Sequence, residues 1–335
     1  MDLESLIACY LPKIELTLRD VLGSDHTEDS DYARMMHYHM GWDDQNQAPA
    51  TSGKRTRPLL TLLCAAASGG DWQLALPLAA GVELIHNFSL IHDDIQDSSR
   101  MRHNRPTVWA LWGQNQAINA GDAMFTYAHL ALQKAAGLEA ETRLEAIRLI
   151  DETCIALTIG QHIDMGFETR HSVTIEDYMT MISGKTAALI AASADLGALA
   201  SGTPKYVRRH YRDFGNALGI AFQIRDDVLG IWGDAATTGK SVTTDIESRK
   251  KTLPVIYALQ QSPELRQAYK TQDMGRVDAH FVKRILDETG ARGYSEGEEH
   301  RHMEQALRHL NEAQPQGDAG AGLRKMTVQL LGRSK

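Results

Sequence analysis

Apolar residues recur every three to four positions along almost the whole chain, the period of an α-helix with one buried face. This pattern predicts helices over 1–22, 54–68, 73–101, 115–136, 139–168, 174–201 and 204–233. Residues 24–53 read as a polar connector and 234–249 as a loop rich in Gly, Ala, Thr and Asp. From 251 onward the chain returns to helix of a more polar, peripheral kind. Thr174 followed by Asp177 carries the spacing of a helix start, and Ser262-Pro263 is a second start with proline at the first helical position. No alternation of strand and helix, short repeat or linker interrupts the pattern. The expectation is one all-α domain over 1–335.

Composition narrows this picture. Hydrophobic residues make up 43% of the 335 positions, enough for a large core, and nine prolines argue against a mesh of short strands. The net charge of −8 provides no global basic field, which argues against a nucleic-acid partner. The start Met1-Asp2-Leu3-Glu4-Ser5 lacks the basic-then-apolar pattern of a secretory signal. No apolar stretch reaches the ~18 residues of a membrane span. Cys9, Cys64 and Cys154 are odd in number and widely spaced, as expected of reduced core thiols in a cytoplasmic protein.

The chemistry concentrates in two acidic helices. Between Glu83 and Asp97, at 100° per residue, His86, Asp93 and Asp97 fall within about 40° of one another. Leu84, Phe88, Ile91 and Ile95 take the opposite side. Carboxylates one turn apart repel unless a cation lies between them. Oxygen donors at this spacing suit magnesium, which takes few carboxylates and completes its shell with water and phosphate. A second pair, Asp226 and Asp227, sits in the apolar run from Phe222 to Trp232, with Gln223 one turn earlier. Facing each other across a cavity, two such clusters would hold several magnesium ions around a diphosphate. Cations lie close by in sequence: Lys54 and Arg57 at a helix start, Arg102 and Arg105, Lys185 inside an apolar run, then Lys240, Arg249, Lys250 and Lys251. Each basic group alone also fits surface charge; an anion–metal cavity accounts for them jointly. His37, His39 and His162 form no metal-ligand set, and Trp109, Trp112 and Trp232 read as packing.

Over residues 50–255 the chain resembles the trans-isoprenyl diphosphate synthases, the polyprenyl synthetase family. The motifs occur in the family's order: Gly53-Lys54-Arg55-x-Arg57-Pro58, Asp93-Asp94-x-x-Asp97, Arg105-Pro106-Thr107, Gly160-Gln161-x-x-Asp164, Lys185-Thr186, Phe222-Gln223 with Asp226-Asp227, then Thr238-Gly239-Lys240, Asp245 and Lys250. The resemblance implies helices around a deep central cavity, a homodimer, and about three magnesium ions ligated by Asp93, Asp97 and Asp226. It implies that Lys54, Arg57 and His86 hold isopentenyl diphosphate and that Arg102, Lys185 and Lys240 hold an allylic diphosphate. Asp94, Gln161, Asp164, Thr186, Gln223, Asp227 and Lys250 would support them, so the catalytic set is Asp93, Asp94, Asp97, Lys185, Gln223, Asp226 and Asp227.

Two positions depart from the family pattern. His103 stands where the family usually has a second arginine, a contact that His103 or Arg105 would have to supply. Gly230 stands in place of the last aspartate of the second motif. Bulk at Ile85, Phe88 and Ser89 would set product length, with a twenty-carbon product expected and fifteen carbons as the alternative. A terpene cyclase or a non-catalytic subunit of a two-component synthase are the competing readings, and a helical scaffold would leave every charged cluster to coincidence. The cyclase has no need of the Lys54–Arg57 group.

Overall fold

The structure is a computed structural model that describes residues 1–23, 31–42, 54–170, 172–233, 246, 249–270 and 278–331. The helical expectation holds throughout. The helices are α1 (Leu3–Gly23), α2 (Asp31–Met40), α3 (Thr56–Ala67), α4 (Leu76–Gln96), α5 (Val108–Trp112), α6 (Gln114–Gln133), α7 (Ala140–Thr169), α8 (Ile175–Ile182), α9 (Ala188–Ala200) and α10 (Lys205–Trp232). Five more follow at Leu253–Gln261, Pro263–Lys270, Ala279–Glu288, Ala291–Glu312 and Gly317–Leu331. Among the described residues the only strands are the two-residue pair Met101–Arg102 and Arg105–Pro106.

Two compact units divide the chain. The first comprises Met1–Cys154, Ala192–Arg212 and Glu312–Met326; the second comprises Ile155–Ala191, Asp213–Asn311 and Thr327–Lys335. Neither is a continuous stretch of sequence, so no linker marks them.

In the first unit, α1 buries Leu3, Leu6, Tyr10, Ile14 and Leu18, one residue per turn. α4 packs most extensively on α6 and also on α3. Trp72–Gln96 is long and apolar enough to cross a membrane by length and composition, which corrects the sequence expectation that no stretch qualifies. In the fold, 72% of that window is buried, as in the core helix of a globular unit. Arg55 closes the corner between helices. It takes a left-handed backbone (φ 46°) as N-cap of α3, and its buried guanidinium bonds Glu15 at 2.7 Å, Glu83 at 2.9 Å and the Met40 carbonyl at 3.1 Å. A buried cation needs such pairing to offset its desolvation.

The second unit is built on two apolar clusters. One joins Phe167, Tyr178, Ile182, Ile220, Ile224 and Leu253; the other joins Ile231, Val255, Leu265, Val282 and Leu286. α8 begins with the expected capping box: Thr174 Oγ1 accepts from the Asp177 amide and Asp177 accepts from the Thr174 amide. The helix from Pro263 also starts as expected.

Three expectations are corrected. The polar connector contains a helix, α2, whose Ala33, Met36 and Met40 share a buried face. The helix expected over 73–101 ends at Gln96, and the segment 174–201 is not one uninterrupted α-helix. Cys9 is exposed; only Cys64 and Cys154 are core thiols, and burial pushes the Cys154 thiol up to about 12.

Candidate active site

In the first unit, α4 stops in a Schellman motif. The Asp94 carbonyl accepts from the Ser99 amide at 2.9 Å, and the Ile95 carbonyl accepts from the Ser98 amide at 3.1 Å. Ser98 takes the left-handed position (φ 51°) usually given to glycine. Asp93, Asp94 and Asp97 therefore crowd the C-terminal turn of α4, where the helix dipole already disfavours negative charge. A nearby cation offsets that cost.

The three acids divide by environment. Asp94 is 2% exposed, whereas Asp93 is half-buried and Asp97 is exposed. Arg102 faces Asp94 edge-on, with Nε donating at 3.0 and 3.1 Å and Nη2 at 2.9 Å. Burial raises the Asp94 carboxyl above its usual range, and Arg102 opposes that rise.

The chain brings Arg102 back to α4 by a two-residue hairpin. His103 (φ 50°) and Asn104 (φ 60°) both adopt the left-handed turn conformation, pairing Arg102 with Arg105. Asn tolerates this conformation well and His more than most residues, so the turn forms without a glycine. Thr107 Oγ1 and Trp109 Nε1 both donate to the Ser99 carbonyl, at 2.9 and 2.8 Å, and fix the hairpin's exit. A small open recess lies against the hairpin, lined by Tyr38, His39, Asp94, Arg102, His103 and Arg105 among others.

The expected isopentenyl diphosphate residues lie in the same unit. Because Arg55 is the N-cap, Lys54 precedes α3 and is exposed, and only Arg57 of the pair lies within the helix. Arg57, in the first turn, is partly buried. Burial and the adjacent Arg57 guanidinium hold the His86 ring well below its usual value, so it is neutral. The expected chain-length residues are packed: Ile85 is fully buried, Ser89 Oγ donates to the His86 carbonyl at 2.8 Å, and the Phe88 ring stands edge-on to Phe125 at 5.2 Å and His92 at 5.5 Å.

In the second unit, Lys185 lies in a π-helical turn, Ser183–Ala187, inserted between α8 and α9. Such one-turn bulges re-aim a side chain and are frequent at functional sites. Gly160 permits the bulge to approach α7: a methyl group on Gly160 would lie 2.2 Å from the Lys185 amide nitrogen. Lys185 Nζ consequently reaches Asp164 Oδ2 at 2.5 Å, which answers the cost of an ammonium in an apolar run.

A hydrogen-bonded chain runs from the next residue. Thr186 Oγ1 donates to Gln223 Oε1 at 2.7 Å, and Gln223 Nε2 donates to Asp227 Oδ1 at 3.0 Å. Tyr178 OH and the Leu253 amide donate to Asp227 Oδ2 at 2.7 and 3.1 Å. Burial raises the Asp227 carboxyl above its usual range, with Lys250 the main opposing influence. Asp227 is 4% exposed, but its neighbour Asp226 is exposed. A small recess is lined by Asp164, Tyr178, Lys185, Gln223, Asp227 and Lys250 among others. Arg225 bonds Glu299 at 3.2 Å in a largely buried pair that anchors this part of α10. Gly230 is half-buried on the same helix. Lys240, Asp245 and Gly53 lie outside the described residues.

Among the described residues no three His, Cys, Asp or Glu side chains gather into a metal cluster. The donor chemistry still fits magnesium, which uses one or two carboxylates and draws its other oxygens from water and phosphate. Asp97 and Asp226 are exposed and Asp93 is half-buried, whereas Asp94 and Asp227 are buried and accept from internal donors.

Reading the sequence alone left out Tyr38, Tyr178, Thr252 and the anchoring roles of Arg55 and Lys251. Lys251 Nζ donates to the Phe167 carbonyl and, at 2.7 Å, to the Arg170 carbonyl, tying down the C-terminus of α7. Tyr178 sits two helical turns before Lys185, a spacing that offered a signal; the others offered none.

The polyprenyl synthetase family model matches residues 45–287. This chain belongs to the polyprenyl synthetase family. The chain is 42% identical over 263 residues to the (2E,6E)-farnesyl diphosphate synthase of Mycobacterium tuberculosis, covering 78% of this chain and 69% of that one. It is 44% identical over 235 residues to the geranylgeranyl diphosphate synthase of the same organism, covering 69% and 66%. The crystal structure of a polyprenyl synthetase from Streptomyces coelicolor superposes with a TM-score of 0.89 at 30% identity, over 98% of this chain and 100% of that one. The all-helical fold expected from the periodicity is thus the fold of solved polyprenyl synthetases.

Proposed function

We propose that the chain is a magnesium-dependent trans-prenyltransferase that joins isopentenyl diphosphate to a dimethylallyl, geranyl or farnesyl diphosphate and makes a short-chain product, chiefly geranylgeranyl diphosphate. The observation that carries this reading is the division within each acidic motif. One carboxylate is buried and hydrogen-bonded, and its neighbours on the same helix are presented outward. Asp93, Asp97 and Asp226 would hold about three magnesium ions, which when bound supply positive charge to the diphosphate groups.

The chain's own residues do the rest. Arg102, Lys185 and Lys240 bind the allylic diphosphate and stabilise charge on it as it leaves. Lys54, Arg57 and neutral His86 bind isopentenyl diphosphate and orient its double bond toward the allylic carbon. Gln223, held between Thr186 and Asp227, keeps the polar wall in place. Apolar helix interiors exclude water from the cation that forms. The released diphosphate accepts the final proton, so no protein nucleophile is required.

A fifteen-carbon product is the second reading. It is favoured by the Phe88–Phe125 ring contact beside Ser89 and by the similarity to a farnesyl diphosphate synthase. The protein would act in the cytoplasm as a homodimer, which sedimentation of the purified chain tests.

The deciding experiment incubates the purified chain with magnesium, labelled isopentenyl diphosphate and each allylic primer, and sizes the products. Twenty- or fifteen-carbon products that require isopentenyl diphosphate are expected. Turnover of an allylic diphosphate without isopentenyl diphosphate would mean a cyclase, and a chain inactive alone would mean a partner subunit. Lys54→Ala should chiefly raise the KM for isopentenyl diphosphate; an effect confined to the allylic substrate would reverse the division of sites.

A further inference from the structure

α2 has no part in the reading above, yet its last turn carries two side chains of the hairpin cavity. Tyr38 makes three contacts there. Its hydroxyl donates to the Pro106 carbonyl at 2.8 Å, its ring lies 4.2 Å under the Arg105 guanidinium, and its edge meets Trp112 at 5.3 Å. The first two contacts fix one strand of the hairpin and the direction of its arginine. His39 is different: its Nε2 is buried and has no hydrogen-bond partner among the described residues. Both residues line the cavity shared with Asp94, Arg102, His103 and Arg105.

The donors and acceptors of this cavity are unequal in number. Arg102, His103 and Arg105 bring cationic or donor groups, and His39 adds an unsatisfied ring nitrogen. The carboxylate on its wall, Asp94, already receives Arg102 through three short contacts. Unsatisfied buried polar groups are costly and therefore rare. An anion with several oxygens would supply the missing acceptors, and arginines match such an anion in charge and shape.

We infer that α2 belongs to the substrate-binding machinery: His39 contacts a diphosphate oxygen through Nε2, and Tyr38 is a positioning residue that holds Arg105 and the hairpin in register for the same group. This rests on the prenyltransferase reading for the identity of the diphosphate, though not for the existence of an anion site. Burial, then the neighbouring Arg102 and Arg55 guanidiniums, hold the His39 ring down to about 3, so the imidazole is neutral, and a contact to a diphosphate oxygen requires its Nε2–H tautomer. A neutral donor adds specificity without adding to the repulsion among the arginines.

The test compares the parent with His39→Phe, His39→Gln, Tyr38→Phe and Tyr38→Leu. The KM for isopentenyl diphosphate and for the allylic substrate, kcat, and binding of inorganic pyrophosphate by calorimetry are measured for each. His39→Phe should raise one of the two KM values about five-fold, the size of one lost hydrogen bond, with kcat little changed. His39→Gln, which keeps a donor, should recover most of that loss. Tyr38→Leu should raise the same KM about ten-fold by removing the ring beneath Arg105, and Tyr38→Phe by less. Whichever KM responds identifies the diphosphate as homoallylic or allylic, and pyrophosphate affinity should fall in parallel. Variants that merely damage the fold would lower kcat and melting temperature and leave both KM values and pyrophosphate affinity in place; that result overturns the inference. If the parent shows no turnover dependent on isopentenyl diphosphate, the prenyltransferase reading fails, and the pyrophosphate titrations alone then decide the anion site.

Discussion

Asp94 and Asp227 are both second in an Asp-Asp pair on a long helix, and both are nearly inaccessible, yet their partners differ in kind. Asp94 is held by one charged residue, Arg102, delivered by a two-residue hairpin whose side chain keeps 30% exposure. Asp227 receives three hydrogen bonds from neutral donors, the Tyr178 hydroxyl, the Gln223 amide and the Leu253 backbone amide, with the Lys250 charge acting beside them. In the first case the carboxylate depends on one ion pair. In the second it is the junction of α8, α10 and the helix starting at Leu253. The first arrangement is fragile to one substitution and adjustable by one residue. The second spreads the same task over several hydrogen bonds, each modest in net worth. In both, fixing one acid sets the rotation of its helix and so the direction of its outward neighbours.

The sharpest way to break this comparison is to remove the outward acids. Asp93→Ala and Asp226→Ala should each lower kcat by about 10²-fold or more, while the circular dichroism spectrum and melting temperature stay near the parent's. Equal turnover in either variant would withdraw that residue from the site. Next in size is Arg102→Ala, which strands the buried Asp94. About 2–3 kcal/mol of stability should be lost, at the low end for a broken buried pair because Arg102 is partly exposed; urea unfolding reads it directly. Gly160→Ala should follow, costing about 1–3 kcal/mol through overpacking against the Lys185 backbone and lowering kcat together with stability. Tyr178→Phe removes one of three donors and should cost about 1–2 kcal/mol, less than the Arg102 change. A larger loss from Tyr178→Phe than from Arg102→Ala would invert the contrast.

A further prediction concerns pH. His39 is neutral in the fold with a value near 3, below that of an unfolded histidine. Its contribution to stability is therefore present above about pH 6.5 and is lost as pH falls from there toward 3, because the unfolded chain takes up the proton first. His39→Gln should flatten that part of the stability curve measured by denaturant unfolding between pH 7 and 4. An unchanged slope would mean that His39 is not the group responsible.

Much of the chemistry was legible because carboxylates one helical turn apart in an apolar run are unusual, and because cations recur near them in sequence. Asp93, Asp97, Asp226 and Lys185 were singled out that way as candidates. What escaped notice depends on backbone geometry rather than residue type. The hairpin has His103-Asn104 at its turn instead of the Asn-Gly that announces one. α4 was expected to run on to 101 because its end is marked by Ser98, where glycine would have been read as a stop. α2 was hidden by its polar average, although Ala33, Met36 and Met40 carry the helical spacing. Asp227 and Asp94 were expected to work beside the outward acids; their internal partners come from residues that are distant in sequence, Tyr178 and Leu253 among them, and no local pattern points to those.

The π turn at Ser183–Ala187 has a consequence for how this segment can change over time. A π turn holds one more residue than an α turn, so the bulge amounts to a single-residue insertion accommodated inside a helix. Deleting one residue there would let the segment run straight, but everything on one side would swing by about 100° relative to the other. Lys185 and Thr186 could not then both keep their partners, Asp164 and Gln223. A change in the length of this stretch would dismantle the polar wall in one step.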